Sequence, residues 1–143
     1  MPGFVLDASV LLKTVLPEDQ VAKDFALQLF KKYSDGTIDL IEPVFWIFEV
    51  GNNLSRKLPV KKAVLAFNFL LNQHFQLLHF TNLQLIQITR FASRNKVAFY
   101  DASYHLLAKF TGSIFVTADK KYFQKFTGDK NIALLEELKF DYS

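Results

Sequence analysis

The segment GFVLDAS, residues 3–9, joins a short β-prone apolar run to a pattern that starts helices. Residues 4–6 are typical of a buried strand. Asp7 and Ser9 then supply side chains that cap a helix before the apolar residues that follow. A second segment, IFVTAD at residues 114–119, repeats the order of apolar run and acid. The two segments therefore predict strands that carry acidic side chains at their carboxyl ends.

Short apolar runs and helical patterns alternate along the rest of the chain. This alternation predicts an α/β fold, an α/β/α sandwich with a central parallel sheet of four or five strands, Rossmann-like in its layering. Because no linker, repeat or low-complexity segment interrupts the pattern, we expect one domain over residues 1–143. Besides the two segments above, we predict strands at 38–41, 75–80 and 131–134, and helices at 17–35, 43–57, 60–73, 82–91, 101–110 and 120–126.

Composition restricts the class of protein. Half of the 143 residues are hydrophobic and 16 are Phe, so the chain predicts a substantial core and not disorder. The absence of Cys excludes disulfides, thiolate zinc sites and Cys nucleophiles. The first residues lack a basic segment, and no uncharged apolar run approaches the roughly 20 residues of a membrane span. We therefore expect a soluble, cytoplasmic protein with no membrane partner.

The charge balance favours a polyanionic partner. The net charge is +3, from 17 basic and 14 acidic residues. If four acids share one site, the basic surplus over the remaining surface is larger than the net charge, and such a surface attracts nucleic acid. A lysine-rich surface that only keeps the protein soluble explains the charge equally well.

Four acidic residues stand beside apolar runs: Asp7, Glu49, Asp101 and Asp119. A carboxylate in such surroundings is costly unless it is compensated, and a divalent cation bound through oxygen is a frequent compensation. Asp7 and Asp119 follow predicted strands, and they become neighbours if those strands are adjacent where the strand order reverses. Asp101 stands at a helix N-terminus, and Glu49, mid-helix, has the longer side chain. Each acid taken singly is also explained as a helix cap or a solvent-facing residue.

Four motifs in order, FVLDAS, FEVGN, YDASY and VTAD, resemble those of the PIN-domain ribonucleases, and within them the VapC toxins of prokaryotic toxin–antitoxin pairs. The resemblance spans nearly the whole chain. It implies a PIN-like fold, and it implies that the four acids hold one or two Mg²⁺ or Mn²⁺ ions. It also implies that Ser9 and Thr117 are the small hydroxyl residues that flank the site.

The same resemblance implies a metal-dependent endoribonuclease that hydrolyses RNA phosphodiester bonds. It implies a cognate antitoxin protein as partner and a homodimer as the resting form. Lys13 and Lys120 flank the acids in sequence and are candidates for binding substrate phosphate. The basic residues Arg56 and Lys57 are consistent with a role in solubility alone.

Alternatives of other kinds remain at this point. One is a PIN nuclease of RNA processing without an antitoxin, and another is a catalytically silent module that binds RNA or a protein partner. A phospho-receiver domain is disfavoured because the predicted third strand contains no Asp. His105 lies four residues after Asp101, so a hydrogen bond to that site competes with simple packing. The aromatic residues at 45–48 and 67–69 exceed what one helix face can bury; core packing accounts for part of them, and the remainder suggests an interface.

Overall fold

The computed structural model describes residues 1–139, which form an α/β/α sandwich around a parallel sheet of five strands. All strand pairs are parallel, and the strand order is β3-β2-β1-β4-β5. This confirms the predicted fold class. The strands are β1 (Gly3–Leu6), β2 (Asp39–Pro43), β3 (Gln76–Leu78), β4 (Ile114–Thr117) and β5 (Ile132–Leu134).

In the described part of the chain, seven α-helices connect and flank the strands, and a short 3-10 turn follows β5 at Leu135–Glu137. No helix within residues 1–139 is long and apolar enough to cross a membrane. The helices are α1 (Ala8–Lys13), α2 (Gln20–Ser34), α3 (Trp46–Lys57), α4 (Val60–Leu71), α5 (Asn82–Asn95), α6 (Phe99–Thr111) and α7 (Lys120–Lys125).

The central strand β1 determines where the site lies. It pairs with β2 on one side and with β4 on the other, so that Leu6 is in register with Val116. Both residues are fully buried, as expected for parallel strands covered by helices on both faces. The strand order reverses between β1 and β4, and the carboxyl ends of these strands therefore open a crevice.

The boundary between β2 and α3 differs from the prediction. Pro43 was expected to begin a helix, but it is the last residue of β2, and α3 begins at Trp46. Pro has no N–H to donate, and in this pairing the next donor along the chain, Val44 N, bonds Leu78 O at 3.1 Å. A consequence is that Glu49 lies in the first turn of α3 and not in mid-helix.

The other boundaries follow the prediction closely. The first long helix begins three residues later than expected, at Gln20, because Asp19 caps it by accepting from Ala22 N. Helix α6 begins at Phe99, two residues before the predicted start, and Asp101 stays in its first turn. Most of the buried apolar side chains form one core around β1, and a smaller group packs between α5 and α6: Ile88, Ala92, Ala102 and Leu106.

Candidate metal centre

A cavity of about 310 Å³ opens at the carboxyl ends of β1 and β4. All four acids singled out from the sequence line it, although they come from four separate parts of the chain. We call it the acidic cavity. Its lining residues are Asp7, Ala8, Ser9, Leu12, Lys13, Leu16, Glu18, Asp19, Glu49, Asn53, Lys57, Asp101 and Asp119.

Asp7 lies at the centre of this arrangement, directly after β1. Its Oδ1 caps α1 by accepting from Val10 N at 3.1 Å and also accepts the hydroxyl of Ser9. Its Oδ2 accepts from Thr117 Oγ1 at 2.5 Å. Both carboxylate oxygens are thus held, and the orientation of Asp7 is fixed by residues of β4 as well as α1.

The two hydroxyl residues also join the neighbouring backbone. Ser9 Oγ accepts from Ala118 N at 3.1 Å, and Thr117 Oγ1 accepts from Asp119 N at 3.0 Å. Each hydroxyl therefore donates to Asp7 and accepts from the segment that carries Asp119. The pair fixes the distance between the ends of β1 and β4, on which the geometry of the cavity depends.

The remaining acids are held by helix starts. Asp119 caps α7 by accepting from Tyr122 N at 3.1 Å, and Asp101 lies in the first turn of α6. Helix N-termini favour negative charge at both positions. Glu49 reaches the cavity from α3, and its Oε1 accepts from Tyr104 Oη at 2.9 Å.

Burial and, to a smaller extent, neighbouring negative charge raise the pKa values of Asp7, Glu49 and Asp101. Burial raises the pKa of Asp7 to about 7, and the nearby charge of Asp101 adds to the shift. Burial and the charge of Asp119 raise the pKa of Asp101, and burial and Asp101 raise the pKa of Glu49. A bound cation would stabilise the ionised forms of Asp7, Glu49 and Asp101, which burial and neighbouring negative charge disfavour.

The chemistry of the donor set fits a hard divalent cation. The candidate ligands are all oxygens, which Mg²⁺ and Mn²⁺ prefer. Within residues 1–139, no three acidic or histidine side chains are already arranged so that they could hold an ion. Mg²⁺ commonly takes one or two carboxylates and fills its other positions with water and substrate oxygens. The open arrangement of carboxylates around the acidic cavity is compatible with that mode of binding.

Glu42 is a buried acid that the sequence reasoning missed. It lies in β2, is fully buried, and accepts from Leu6 N through Oε2 at 3.0 Å. Its Oε1 has no hydrogen-bond partner among the described residues. Burial raises its pKa well above the usual range, and the charge of Asp7 adds to the shift. An acid at the end of an apolar strand was the signal used for Asp7, and the same signal was present in LIEP at residues 40–43.

The candidate lysines take different places. Lys13 lines the acidic cavity, and its Nζ lies 4.0 Å from Asp19 Oδ2. Lys120 lies outside it, in an adjoining cavity of about 210 Å³ that Lys13 and Asp19 also line. The sequence was consistent with a role of Lys57 in solubility alone, but the structure shows that Lys57 lines the acidic cavity.

His105 does not contact the acidic site. It is fully buried, with Nδ1 at 2.8 Å from Tyr122 Oη and Nε2 at 3.0 Å from Asp129 Oδ2. Burial lowers its pKa to about 4, so the imidazole is neutral near pH 7. Packing, which was one of the two explanations offered by the sequence, accounts for this residue.

Solved structures with the same fold include three described as follows. PAE2754 from Pyrobaculum aerophilum is 24% identical, with a TM-score of 0.66 over 94% of this chain and 92% of that one. VapC20 from Mycobacterium tuberculosis, a sarcin-ricin loop cleaving toxin, is 16% identical, with a TM-score of 0.67 over 86% and 95%. DNA-bound VapBC from Salmonella typhimurium is 15% identical, with a TM-score of 0.67 over 94% and 97%.

Because these three structures share 24% or less of their sequence with this chain, the similarity shows that the fold is shared and nothing more. No curated protein sequence matches the chain significantly. The sequence model of the PIN domain matches residues 4–128, a range that runs from β1 past α7 and contains all four acids of the cavity. The chain therefore belongs to the PIN domain family.

Proposed function

We propose that this protein is a metal-dependent endoribonuclease that hydrolyses RNA phosphodiester bonds in the cytoplasm, as the toxin of a type II toxin–antitoxin pair. The observation that carries the proposal is the convergence of Asp7, Glu49, Asp101 and Asp119 on one cavity at the reversal point of the sheet. Membership of the PIN domain family and the likeness in fold to a structure described as a sarcin-ricin loop cleaving toxin support it.

The cation that would fit here is Mg²⁺ or Mn²⁺, held by carboxylates drawn from those same four acids. When bound, such an ion acidifies an attacking water and neutralises charge on the phosphate and the leaving oxygen. Asp7 is the acid whose orientation is fixed before an ion binds, because its two oxygens are held by Ser9 and Thr117. Glu49, oriented by Tyr104, reaches the cavity from α3.

Basic residues near the acids are suited to hold the substrate. Lys13 lines the acidic cavity and Lys120 lines the adjoining one, so the two cations lie along a common path beside Asp19. We assign both to the binding of RNA phosphates. Their charges would offset the repulsion between the acidic cavity and a polyanionic strand.

We propose that an antitoxin binds in an apolar groove of about 550 Å³ on another part of the surface. Its lining contains a single charged residue, Lys62, and a groove of this composition suits the apolar face of a helix or an extended segment. The likeness in fold to the chains of VapBC assemblies supports a protein partner. The groove is lined by Thr14, Val15, Pro17, Leu27, Leu58, Pro59, Lys62, Leu65, Ala66 and Phe69.

A second exposed apolar surface is available for a homodimer. The first turns of α5 expose Leu83 and Ile86 to 66% and 50%, and the start of α6 exposes Phe99 and Tyr100 to 42% and 43%. Helices α5 and α6 pack against each other. We propose that this surface joins two copies of the chain, leaving the apolar groove for the antitoxin.

The proposal is tested by incubating the purified protein with structured and single-stranded RNA, with Mn²⁺, with Mg²⁺ and with a chelator. Wild type should cleave only in the presence of metal, leaving 5′-phosphate ends. Asp7→Asn should lose at least ~10²-fold in rate, the scale of losing one main electrostatic element. Because Asn also caps helices, the variant should still fold. Equal cleavage by Asp7→Asn would refute the metal-site assignment, and chelator-resistant cleavage would refute the metal requirement.

A further inference from the structure

The acidic cavity extends along one face of α3, beyond the four acids. Glu49, Asn53 and Lys57 all line it, and their spacing of four residues places them on the same side of the helix. At a rise of about 1.5 Å per residue, Lys57 lies about 12 Å along the helix from Glu49. The cavity therefore contains a cation, the Lys57 ammonium, whose position on α3 is well separated from that of Glu49.

The two lysines of the cavity differ in ion pairing. Lys13 Nζ is 4.0 Å from Asp19 Oδ2. Lys57 forms no ion pair with any residue in the described range 1–139, although six acidic residues line the same cavity. Lys57 is therefore not engaged in direct neutralisation of these acids. Its charge is available to an anion that enters the cavity.

We propose that Lys57 binds a phosphate of the RNA strand other than the reacting one, and so sets the length of strand that the site holds with full affinity. This inference rests on the proposed ribonuclease function. A strand whose reacting phosphate lies at the carboxylates carries further phosphates on either side, and the α3 face is one path for them. The Lys ammonium is a compact charge suited to a phosphate oxygen.

Asn53 supports this path. It lies between Glu49 and Lys57 on the α3 face, and its Nδ2 donates to Glu49 O at 2.9 Å. Its Oδ1 accepts no hydrogen bond from the residues that the structure describes. A carbonyl oxygen at this point can accept from a ribose hydroxyl, the group that distinguishes RNA from DNA. The segment between carboxylates and cation is thus polar, as a bound sugar–phosphate chain requires.

The competing explanation is that Lys57 only stabilises the end of its helix. It is the last residue of α3, where a cation interacts favourably with the helix dipole. Arg56 stands in the same last turn but does not line the cavity. The substitutions Lys57→Gln and Arg56→Gln therefore remove the same charge from the same helix end, and only the first removes a cation from the cavity.

The test measures cleavage of single-stranded oligoribonucleotides of increasing length in the presence of Mn²⁺, together with their binding in Ca²⁺. For wild type and Arg56→Gln, KM should fall as the strand grows to reach α3. For Lys57→Gln this gain, the fall in KM with strand length, should be absent. Its KM should be higher by roughly three- to tenfold on long strands, with kcat within about twofold. The slope of log affinity against log salt should decrease by about one phosphate contact. Lys57→Arg should restore the gain.

Equal KM values for Lys57→Gln and Arg56→Gln at every length would overturn the inference, whether or not both lower the melting temperature. An equal loss on the shortest and the longest strands would also overturn it, because the cation would then act at the reacting phosphate. These results would leave the ribonuclease function standing. If wild type neither binds nor cleaves RNA of any length, the proposed function itself fails, and this inference fails with it.

Discussion

Thr117 Oγ1 donates a hydrogen bond to Asp7 Oδ2 at 2.5 Å, although the two residues are 110 positions apart in sequence. The same Oγ1 accepts from Asp119 N at 3.0 Å. One hydroxyl therefore connects two of the four candidate metal ligands. Thr117 is fully buried, so solvent does not compete for either bond. This contact makes the geometry of the site depend on a residue that binds no metal itself.

Replacing Thr117 by Val removes the hydroxyl at nearly constant volume. We expect cleavage to fall roughly 10- to 100-fold, the usual cost of losing a partner that orients a metal ligand. We also expect the free energy of unfolding to decrease by about 1–3 kcal/mol, because Asp119 N is left without its acceptor. Kinetics and urea denaturation measure both quantities. Thr117→Ser is the control, since it keeps the hydroxyl; a Ser variant as impaired as the Val variant would contradict the role assigned to the hydroxyl.

The stability of the metal-free protein should decrease as pH rises from about 4 to about 7. Folding raises the pKa of Asp7 from 3.8 to about 7. The folded state therefore binds this proton more tightly than the unfolded state, and the associated stability is lost as pH passes through the folded-state pKa. The loss is on the order of 4 kcal/mol if Asp7 alone is counted.

Urea denaturation across this pH range in the presence of a chelator measures the effect. Asp7→Asn has no titrating group at this position, so its stability should depend less on pH than that of wild type. A pH dependence identical in wild type and Asp7→Asn would show that Asp7 does not carry the shift.

Mn²⁺ should reverse this loss of stability. A ligand that binds only the folded state raises its stability in proportion to the logarithm of its concentration above Kd. Because the ion competes with protons for the carboxylates, we expect a larger rise in melting temperature at pH 8 than at pH 5. Asp101→Asn, which lacks one cavity carboxylate, is the comparison. A rise of the same size in that variant would indicate binding elsewhere.

Glu42→Gln should stabilise the protein at alkaline pH. Glu42 is fully buried and its Oε1 has no partner in the described residues, so its ionisation is costly. Gln retains an acceptor for Leu6 N without carrying charge. Since the pKa of Glu42 is raised, the wild type loses stability with rising pH and the variant avoids that loss.

Denaturation at pH 5 and pH 8 tests this expectation for Glu42. The advantage of Glu42→Gln should be larger at pH 8. Glu42→Met serves as the control, because it removes the charge together with the acceptor, and it should be less stable than Glu42→Gln at both values. If the stability advantage of Glu42→Gln did not change with pH, it would arise from packing and not from the ionisation of Glu42.

Ile86→Glu should convert a homodimer into a monomer. Ile86 is half exposed on α5, and a charge there would oppose burial against a second copy. Sedimentation of wild type and variant measures the change. Val21→Glu, on the exposed face of α2, is the control and should remain a dimer. A wild type that sediments as a monomer would remove the dimer proposal and leave the nuclease proposal intact.

Much of the fold could be predicted from local patterns. Short apolar runs such as IFVT at residues 114–117 and helix caps such as Asp7 act within a few residues, and the structure reproduces them. Pro43 was assigned wrongly because its role depends on pairing with β3, which is distant in sequence. A proline before a helix and a proline ending a strand present the same local signal.

The residues that line the acidic cavity were harder to predict from local patterns. The four acids could be found because each stands beside an apolar run. Asn53 and Lys57 could not be assigned, since their relevance follows from the direction that α3 takes relative to β1. Glu42 carried a readable signal, an acid ending an apolar strand. The predicted strand at 38–41 and the predicted helix from Pro43 leave Glu42 in neither element, whereas the structure places it inside β2.

The position of β4 next to β1 has a consequence for synthesis of the protein. Asp7 is made more than a hundred residues before Thr117 and Asp119. Pairing across such a separation is delayed by the entropy of closing the intervening chain. A chain still emerging from the ribosome therefore has no complete cavity, however well its first helices are formed. If the proposed activity is correct, the translating ribosome and its RNA are not exposed to the nuclease before β4 has paired with β1, and a fragment that ends before β4 lacks the complete cavity.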